Sequence, residues 1–268
     1  MTNTTTTSAA AWRPDEVASL NLDAAIPDSF LVQMTTLAGT VEGDARKVRV
    51  PFIGLDPAAA VVAEGAAIAE TDATLSEVEI DTAKVAVLSV ISNEQFGAEG
   101  AAQRIPQSLV RAVTQKANSE FVTELNGLTL TAGGTVAGAT DLDVFSDAFA
   151  DIEGAGGLAS HIVMPSATWK QLAALKTATG SNMPILGVSD ASAEGPKRSI
   201  FGVPVFLHNA ATSVYVLSKS DLVSAYSPLR VAISEDYAFD RDAQAIRATL
   251  RFGIKPAHLA QHVELALA

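Results

Sequence analysis

The feature that most restricts this chain is a stretch with almost nothing to pack, residues 54–76, lying between two short strands of opposite charge. Residues 46–52 read RKVRVPF, so that Val48, Val50 and Phe52 alternate with Lys47, Arg49 and Pro51 at the two-residue period of a half-buried strand. Residues 77–82, EVEIDT, answer with Val78 and Ile80 set between Glu77, Glu79 and Asp81. Opposite charges facing each other across two strands favour that pairing. The stretch between them is rich in Ala and Gly, its larger apolar side chains being Leu55, Val61, Val62, Ile68 and Leu75. An isolated two-stranded ribbon is marginal in water, and a long structureless loop within a compact domain is rare unless it is functional or rests on something else. The expectation is a projecting hairpin that cannot bury itself and that another subunit supports.

The remainder has the composition of an ordered globular protein. Of 268 residues 48% are apolar and 18% charged, enough for one compact domain or two small ones, with a core of Val, Ile, Leu and Ala filled out by 10 Phe. Thirty acidic against 18 basic side chains give a formal charge of −12, which argues against tight nucleic-acid binding. Cys is absent, which excludes disulfides, thiolate metal sites and Cys nucleophiles and fits a reducing cytoplasm. No apolar run approaches the roughly 20 residues of a membrane-spanning helix. Residues 1–11 are Thr-rich with neither a basic start nor an apolar core, so they read as an arm and not a secretory signal. Residues 2–28 are polar and Ala-rich, with Trp12 and Arg13-Pro14 breaking any long helix; such a segment is disordered or orders against a neighbouring subunit.

After an apolar run at 84–91, which suits a buried strand, Ser92 and Gln95 form a capping-box signal for a short helix ending near Gly97. Ile105, Leu109, Ala112, Val113, Ala117, Phe121 and Leu125 recur at helical steps, with Pro106 tolerated in the first turn and Asn126-Gly127 as a left-handed stop. Arg104, Arg111, Gln115, Asn118 and Glu124 fall on the other faces. A connector over 128–140, with one weak strand, leads to a helix capped by Asp141 or Asp143 that carries Leu142, Phe145, Phe149 and Ile152. A strand at 161–164 and a helix from Pro165-Ser166 follow, with Trp169, Leu172, Ala173 and Lys176 on successive turns. Strands are expected at 200–208, 214–217 and 229–233, together in one sheet region. A long amphipathic strand is expected at 243–254, with Ile246, Ala248, Leu250 and Phe252 opposite Arg247, Thr249 and Arg251, and a further strand within 259–267.

Several constellations are weighed and set aside. His258 and His262 stand four apart with Glu264 nearby, a spacing for metal binding on a helix, but the segment reads better as a strand with exposed or core-edge histidines. Glu64, Glu70 and Asp72 lie on a loop with nothing to hold them in register, so a solvated or intersubunit role is preferred over acid–base work. Gly133-Gly134 and Gly154 to Gly157 lack the lysine of a phosphate loop and read as turn glycines. Arg46, Lys47 and Arg49 are expected to pair with the acidic strand and not with nucleic acid.

Four stretches, in this order, carry a resemblance to the HK97-like major capsid proteins of tailed bacteriophages. Val62 to Phe96 resembles the family's extended loop and return strand, Ile162 to Lys176 its proline-led helix entry, Gly202 to Leu207 the strand after it, and Val231 to Leu250 the return to the first lobe. The resemblance runs from Val50 to Gly253. It implies an α+β chain with an N-terminal arm at 1–45, an extended hairpin loop at 46–83, a peripheral domain with a long spine helix at 84–127, an axial domain at 128–227 and a return to the peripheral domain at 228–268. The implied function is that of a major capsid protein assembling as hexamers and pentamers into an icosahedral shell around packaged double-stranded DNA. It implies no enzyme activity, no catalytic, cofactor-binding or metal residues, and no cofactor. Implied partners are copies of the chain itself, portal and scaffold proteins, a decoration protein, and DNA held without sequence-specific contacts; no membrane is implied. The implied location is the virion, assembled in the bacterial host cytoplasm. Residues 54–76 contain no Lys, so the Lys–Asn self-crosslinking of some relatives is not expected here. Only about 45 residues precede the first ribbon strand, so a separate scaffold or a very short arm is expected. The competing readings are an encapsulin-type nanocompartment, which shares the fold, and an α/β enzyme with an unrecognised site.

Overall fold

The computed structural model of the chain describes residues 18–20, 29–41, 46–55, 59–65, 67–97, 101–136, 142–176, 181, 184–186 and 198–267. In chain order the elements are β1 (Ala18–Leu20), α1 (Phe30–Met34), β2 (Thr36–Thr40), β3 (Lys47–Leu55), β4 (Thr74–Asp81), β5 (Ala83–Ser92), α2 (Asn93–Phe96), α3 (Ala101–Asn126) and β6 (Thr131–Val136). They continue with α4 (Asp143–Gly154), β7 (His161–Met164), α5 (Ser166–Ala173), β8 (Ser199–Ile200), β9 (Val203–Leu207), β10 (Val214–Leu217), β11 (Leu222–Tyr226), β12 (Leu229–Ala238), β13 (Ala243–Pro256) and β14 (Val263–Leu267).

The expected amphipathic strand is the axis of the first sheet. This sheet runs β1-β12-β13-β11-β2, with β5 paired along the opposite edge of β13. Ile246, Ala248, Leu250 and Phe252 point inward, where Leu109, Val113, Ala117, Phe121 and Leu125 of α3 cover them. The buried row of α3 advances in four-residue steps and so drifts round the helix away from Ala112, which is exposed against expectation. Helix α3 begins at Ala101, which puts Pro106 in its second turn. Its end is not the left-handed stop expected at Asn126-Gly127. Gly127 and Leu128 instead donate to the carbonyls of Glu124 and Leu125, closing the last turn with three-residue bonds. The run at 84–91 is half-exposed, because α3 covers only one face of β5. Ser92 caps α2 as expected, accepting from the Gln95 amide at 3.3 Å.

The second sheet runs β6-β14-β10-β7-β9-β8 and packs Phe145, Ile152 and Leu172 of α4 and α5 into its own core. Helix α4 starts at Asp143 with Leu142 at the cap position and no side-chain cap; Asp141 lies outside the described residues. Gly133-Gly134 is not a turn but part of β6, where a Cβ on Gly133 would sit 2.5 Å from Leu265 Cδ2. The strand expected over 200–208 is broken by a tight turn, with Phe201 at φ 49° and Gly202 at φ 84°, both left-handed as hairpin turns require.

Three boundaries differ from expectation. Residues 29–41 are part of the fold and not arm: Phe30, Leu31, Met34 and Val41 are buried, β2 between them is largely exposed but pairs with β11, and the Phe30 amide donates to Asn118 Oδ1 at 3.0 Å. Residues 18–20 pair with Leu229 to Val231 of the same chain; the rest of the arm call, at 1–17 and 21–28, lies outside the described residues. Finally, β11 and β12 belong to the first sheet and β14 to the second, so the chain crosses between sheets at 218–221 and again at 257–262. Asn126 fastens the two at the end of α3, donating to the Ala210 carbonyl at 2.8 Å and accepting from Tyr215 Oη at 2.8 Å.

Candidate assembly interface

The ribbon forms in the register that its charges favour. Strands β3 and β4 pair antiparallel, with Arg49 opposite Glu79 and Lys47 opposite Asp81. Glu79 receives Lys47 Nζ at 2.8 Å and an Arg49 guanidinium nitrogen at 2.8 Å. The Lys47 hydrogen bond holds the Glu79 carboxyl below its usual range. These pairs are exposed, so each adds at most about 1 kcal/mol and their chief effect is to fix register. Arg46 joins through its backbone, accepting from the Thr82 amide at 2.7 Å.

The expectation that this ribbon cannot bury itself is corrected at its root. Val78 and Ile80 are buried against Val41 and Ala225, with Val48, Val50, Phe52, Val223 and Ala257 around them. Burial of two such side chains contributes about 1.5–3 kcal/mol each. The root sits on the face of the first sheet opposite α3, where Gly253 lets the Asp81 backbone pass so close that an added Cβ would lie 2.1 Å from its carbonyl oxygen. Further out the expectation holds. Val61 is fully exposed, Ile68 is 81% exposed and Leu75 82%, and Glu64, Glu70 and Asp72 are exposed beside them.

A carboxylate that the sequence reading missed ties this root down. Asp221, buried in the turn before β11, lies 2.6 Å through Oδ1 from His258 Nδ1 and 3.0 Å through Oδ2 from His262 Nε2. The Oδ2 atom also accepts from the His258 amide at 2.8 Å. The other ring nitrogen of His258 lies 3.2 Å from the Ile53 carbonyl of β3, and its ring meets Phe52 edge to face. His258 and His262 therefore flank a single three-ten turn at Leu259–Gln261, not a helix face or a strand, and His262 is wholly buried. Burial works to raise the Asp221 pKa, but the hydrogen bonds from His262 and His258 outweigh it and hold the carboxyl below its ordinary value.

Beyond the root, the same sheet face is basic. The register puts Arg247 beside Leu88, Arg251 beside Lys84, and Arg230 beside Thr249. Leu88 and Val90 on this face are 49% and 47% exposed. None of Lys84, Arg230, Arg247 and Arg251 forms an ion pair among the described residues. Alternation in β13 marks Arg247 and Arg251 as outward; joining them to Lys84 and Arg230 needs the register.

A projecting ribbon, a long helix under one sheet and a second lobe make a frame for repeated contact between copies. The model of the phage capsid family matches residues 28–261. The chain belongs to the phage capsid family. Its capsid fold is HK97-like: the capsid of an empty GTA particle is 19% identical with a TM-score of 0.61, covering 97% of this chain and 94% of that one. Structures from Microbacterium phage Oxtober96 (11% identity, TM-score 0.64, 98% and 96% covered) and Mycobacterium phage Adephagia (14%, 0.63, 94% and 91%) are similar. No curated protein sequence matches significantly. The capsid subunit is thus a structural protein, a major capsid protein of an icosahedral shell, and not an enzyme.

Proposed function

We propose that this capsid protein assembles as hexamers and pentamers around packaged double-stranded DNA, and that the ribbon tip of each copy lies on the basic sheet face of its neighbour. The first sheet with α3 corresponds to a peripheral lobe and the second sheet to an axial lobe. Charge complementarity carries the proposal. Residues 54–76 hold Asp56, Glu64, Glu70 and Asp72 and no Lys or Arg, while the receiving face presents Lys84, Arg230, Arg247 and Arg251 next to exposed Leu88 and Val90. A ribbon tip with exposed Val61, Ile68 and Leu75 gains apolar burial on such a face as well. Portal and scaffold proteins complete the assembly, a decoration protein is a further partner, and the chain's net charge of −12 leaves the genome free to move. The setting is a virion assembled in the cytoplasm of a bacterial host. A compartment enclosing enzymes draws no support from any of these features.

The test exchanges charge. Arg247→Glu with Arg251→Glu should leave the circular dichroism of the subunit unchanged and abolish shells in electron micrographs. Adding Glu70→Lys and Asp72→Lys should restore them. Shells formed at the parental yield by the double Glu variant would contradict the docking.

A further inference from the structure

We propose that the ribbon is fastened to its own subunit by a proton on His258, so that its attitude toward the neighbouring copy changes with pH. The functional consequence rests on the reading of the ribbon as the shell contact; the switch itself does not.

The His258 ring stands between two acceptors. Its Nε2 lies 3.2 Å from the Ile53 carbonyl oxygen, and a carbonyl only accepts, so Nε2 carries a hydrogen. Its Nδ1 lies 2.6 Å from Asp221 Oδ1. Asp221 is the acceptor there too, because its Oδ2 already receives the His258 amide at 2.8 Å and His262 Nε2 at 3.0 Å, and several donors on one carboxyl favour the ionised form. Both ring nitrogens of His258 then carry hydrogen, and an imidazole in that state is a cation. His262 differs: its Nδ1 accepts from the Ser218 amide at 3.3 Å, so it serves Asp221 as a neutral ring protonated on Nε2.

Asp221, from the turn before β11, bonds the His258 ring, and His262, from the segment after the three-ten turn, bonds the same carboxyl group. The ribbon brings Phe52 to the ring, at a centroid distance of 5.1 Å, and the Ile53 carbonyl. A neutral His258 has one N–H and cannot serve both acceptors. The buried carboxylate keeps it, since an unsatisfied buried charge costs more than a carbonyl that water can reach. The bond to Ile53 is the one lost. The sign follows: the link is present while His258 is protonated and is given up as pH rises through its titration.

The test uses the full-length unassembled subunit. Amide hydrogen exchange of residues 47–55 and 74–81 is followed against pH, corrected for intrinsic rates and referenced to β13, while nitrogen NMR of the ring reports the charge of His258. Ribbon protection should drop about tenfold over the same pH interval in which the ring loses its proton, the equivalent of one charge-assisted bond. His258→Gln should remove that step, and His258→Phe, which keeps a ring against Phe52, should do the same. A neutral His258 ring while the ribbon is fully protected, or an unchanged step in either variant, would overturn the proposal. Shell formation is scored separately by electron microscopy at fixed pH, so a parent that makes no shells counts against the capsid contact and leaves the exchange result to decide the switch.

Discussion

Replacing Gly253 by Ala tests the seat of the ribbon with a single methyl group. Gly253 lies in β13 with an ordinary backbone conformation, so Ala is conformationally permitted and, considered alone, should stabilise by about 0.4–1 kcal/mol through the unfolded chain. The added Cβ would instead meet the Asp81 carbonyl oxygen at 2.1 Å, Ile80 Cγ2 at 2.8 Å and the Asp81 carbonyl carbon at 3.0 Å. Carbon-to-oxygen contacts begin at about 3.3 Å, so the ribbon root must retreat by roughly 1 Å. Two of the three atoms are backbone and none is the far end of a flexible side chain, so the whole root moves. Overpacking of this kind costs about 1–3 kcal/mol, which leaves a net loss of up to about 2.6 kcal/mol, centred near about 1.3 kcal/mol, once the chain term is subtracted. Urea unfolding of the unassembled subunit should show a lower midpoint, with faster amide exchange in β4. Gly127→Ala is the matched control, because its nearest new neighbour is at 3.5 Å; there the chain term should stand alone and raise stability. A Gly253→Ala subunit stabilised as much as the Gly127→Ala control would refute the claim that the root is pressed against the sheet.

The two ends of the ribbon should respond oppositely to truncation. Ile80→Ala, at a fully buried position, should cost about 2–5 kcal/mol in urea unfolding, whereas Leu75→Ala, at 82% exposure, should change subunit stability by less than about 0.5 kcal/mol yet reduce shell yield. Two half-buried groups should oppose each other in the pH dependence of stability. Burial chiefly raises the Glu124 carboxyl from 4.5 to about 7, so its contribution is lost as pH rises through that interval; burial chiefly lowers His161 from 6.5 to about 4, so its contribution is lost as pH falls. Glu124→Gln, which can still accept from the Ile254 amide, should therefore leave a stability that rises with pH between about 4 and 6.5, and a slope unchanged from the parent would rule the assignment out.

What the sequence made legible is what repeats locally. The alternation of 46–52 against 77–82 foretold the ribbon and its charge pairing, and the alternation of 243–254 foretold the strand on which the first sheet is built. The seat of the ribbon was not legible, because Val223, Ala225, Gly253 and Ala257 are small, non-periodic and more than a hundred residues away. Asp221 gave no signal either, since a lone Asp in a Ser-Lys-Ser-Asp turn looks like any solvated turn until the chain crossing at 257–262 brings two imidazoles to it. The arrangement along β13 suggests why the sheet face is divided as it is. Where the chain's own ribbon lies, at Val223, Ala225 and Gly253, the face is apolar and admits a backbone, with exposed Lys255 at its border; from Arg247 to Arg251 it is basic, a surface that the subunit's own ribbon root leaves bare. On the proposed reading, one strand therefore separates the two contacts by side-chain size and charge. The apolar end holds the ribbon within the subunit, and the charged end accepts the tip that another copy presents.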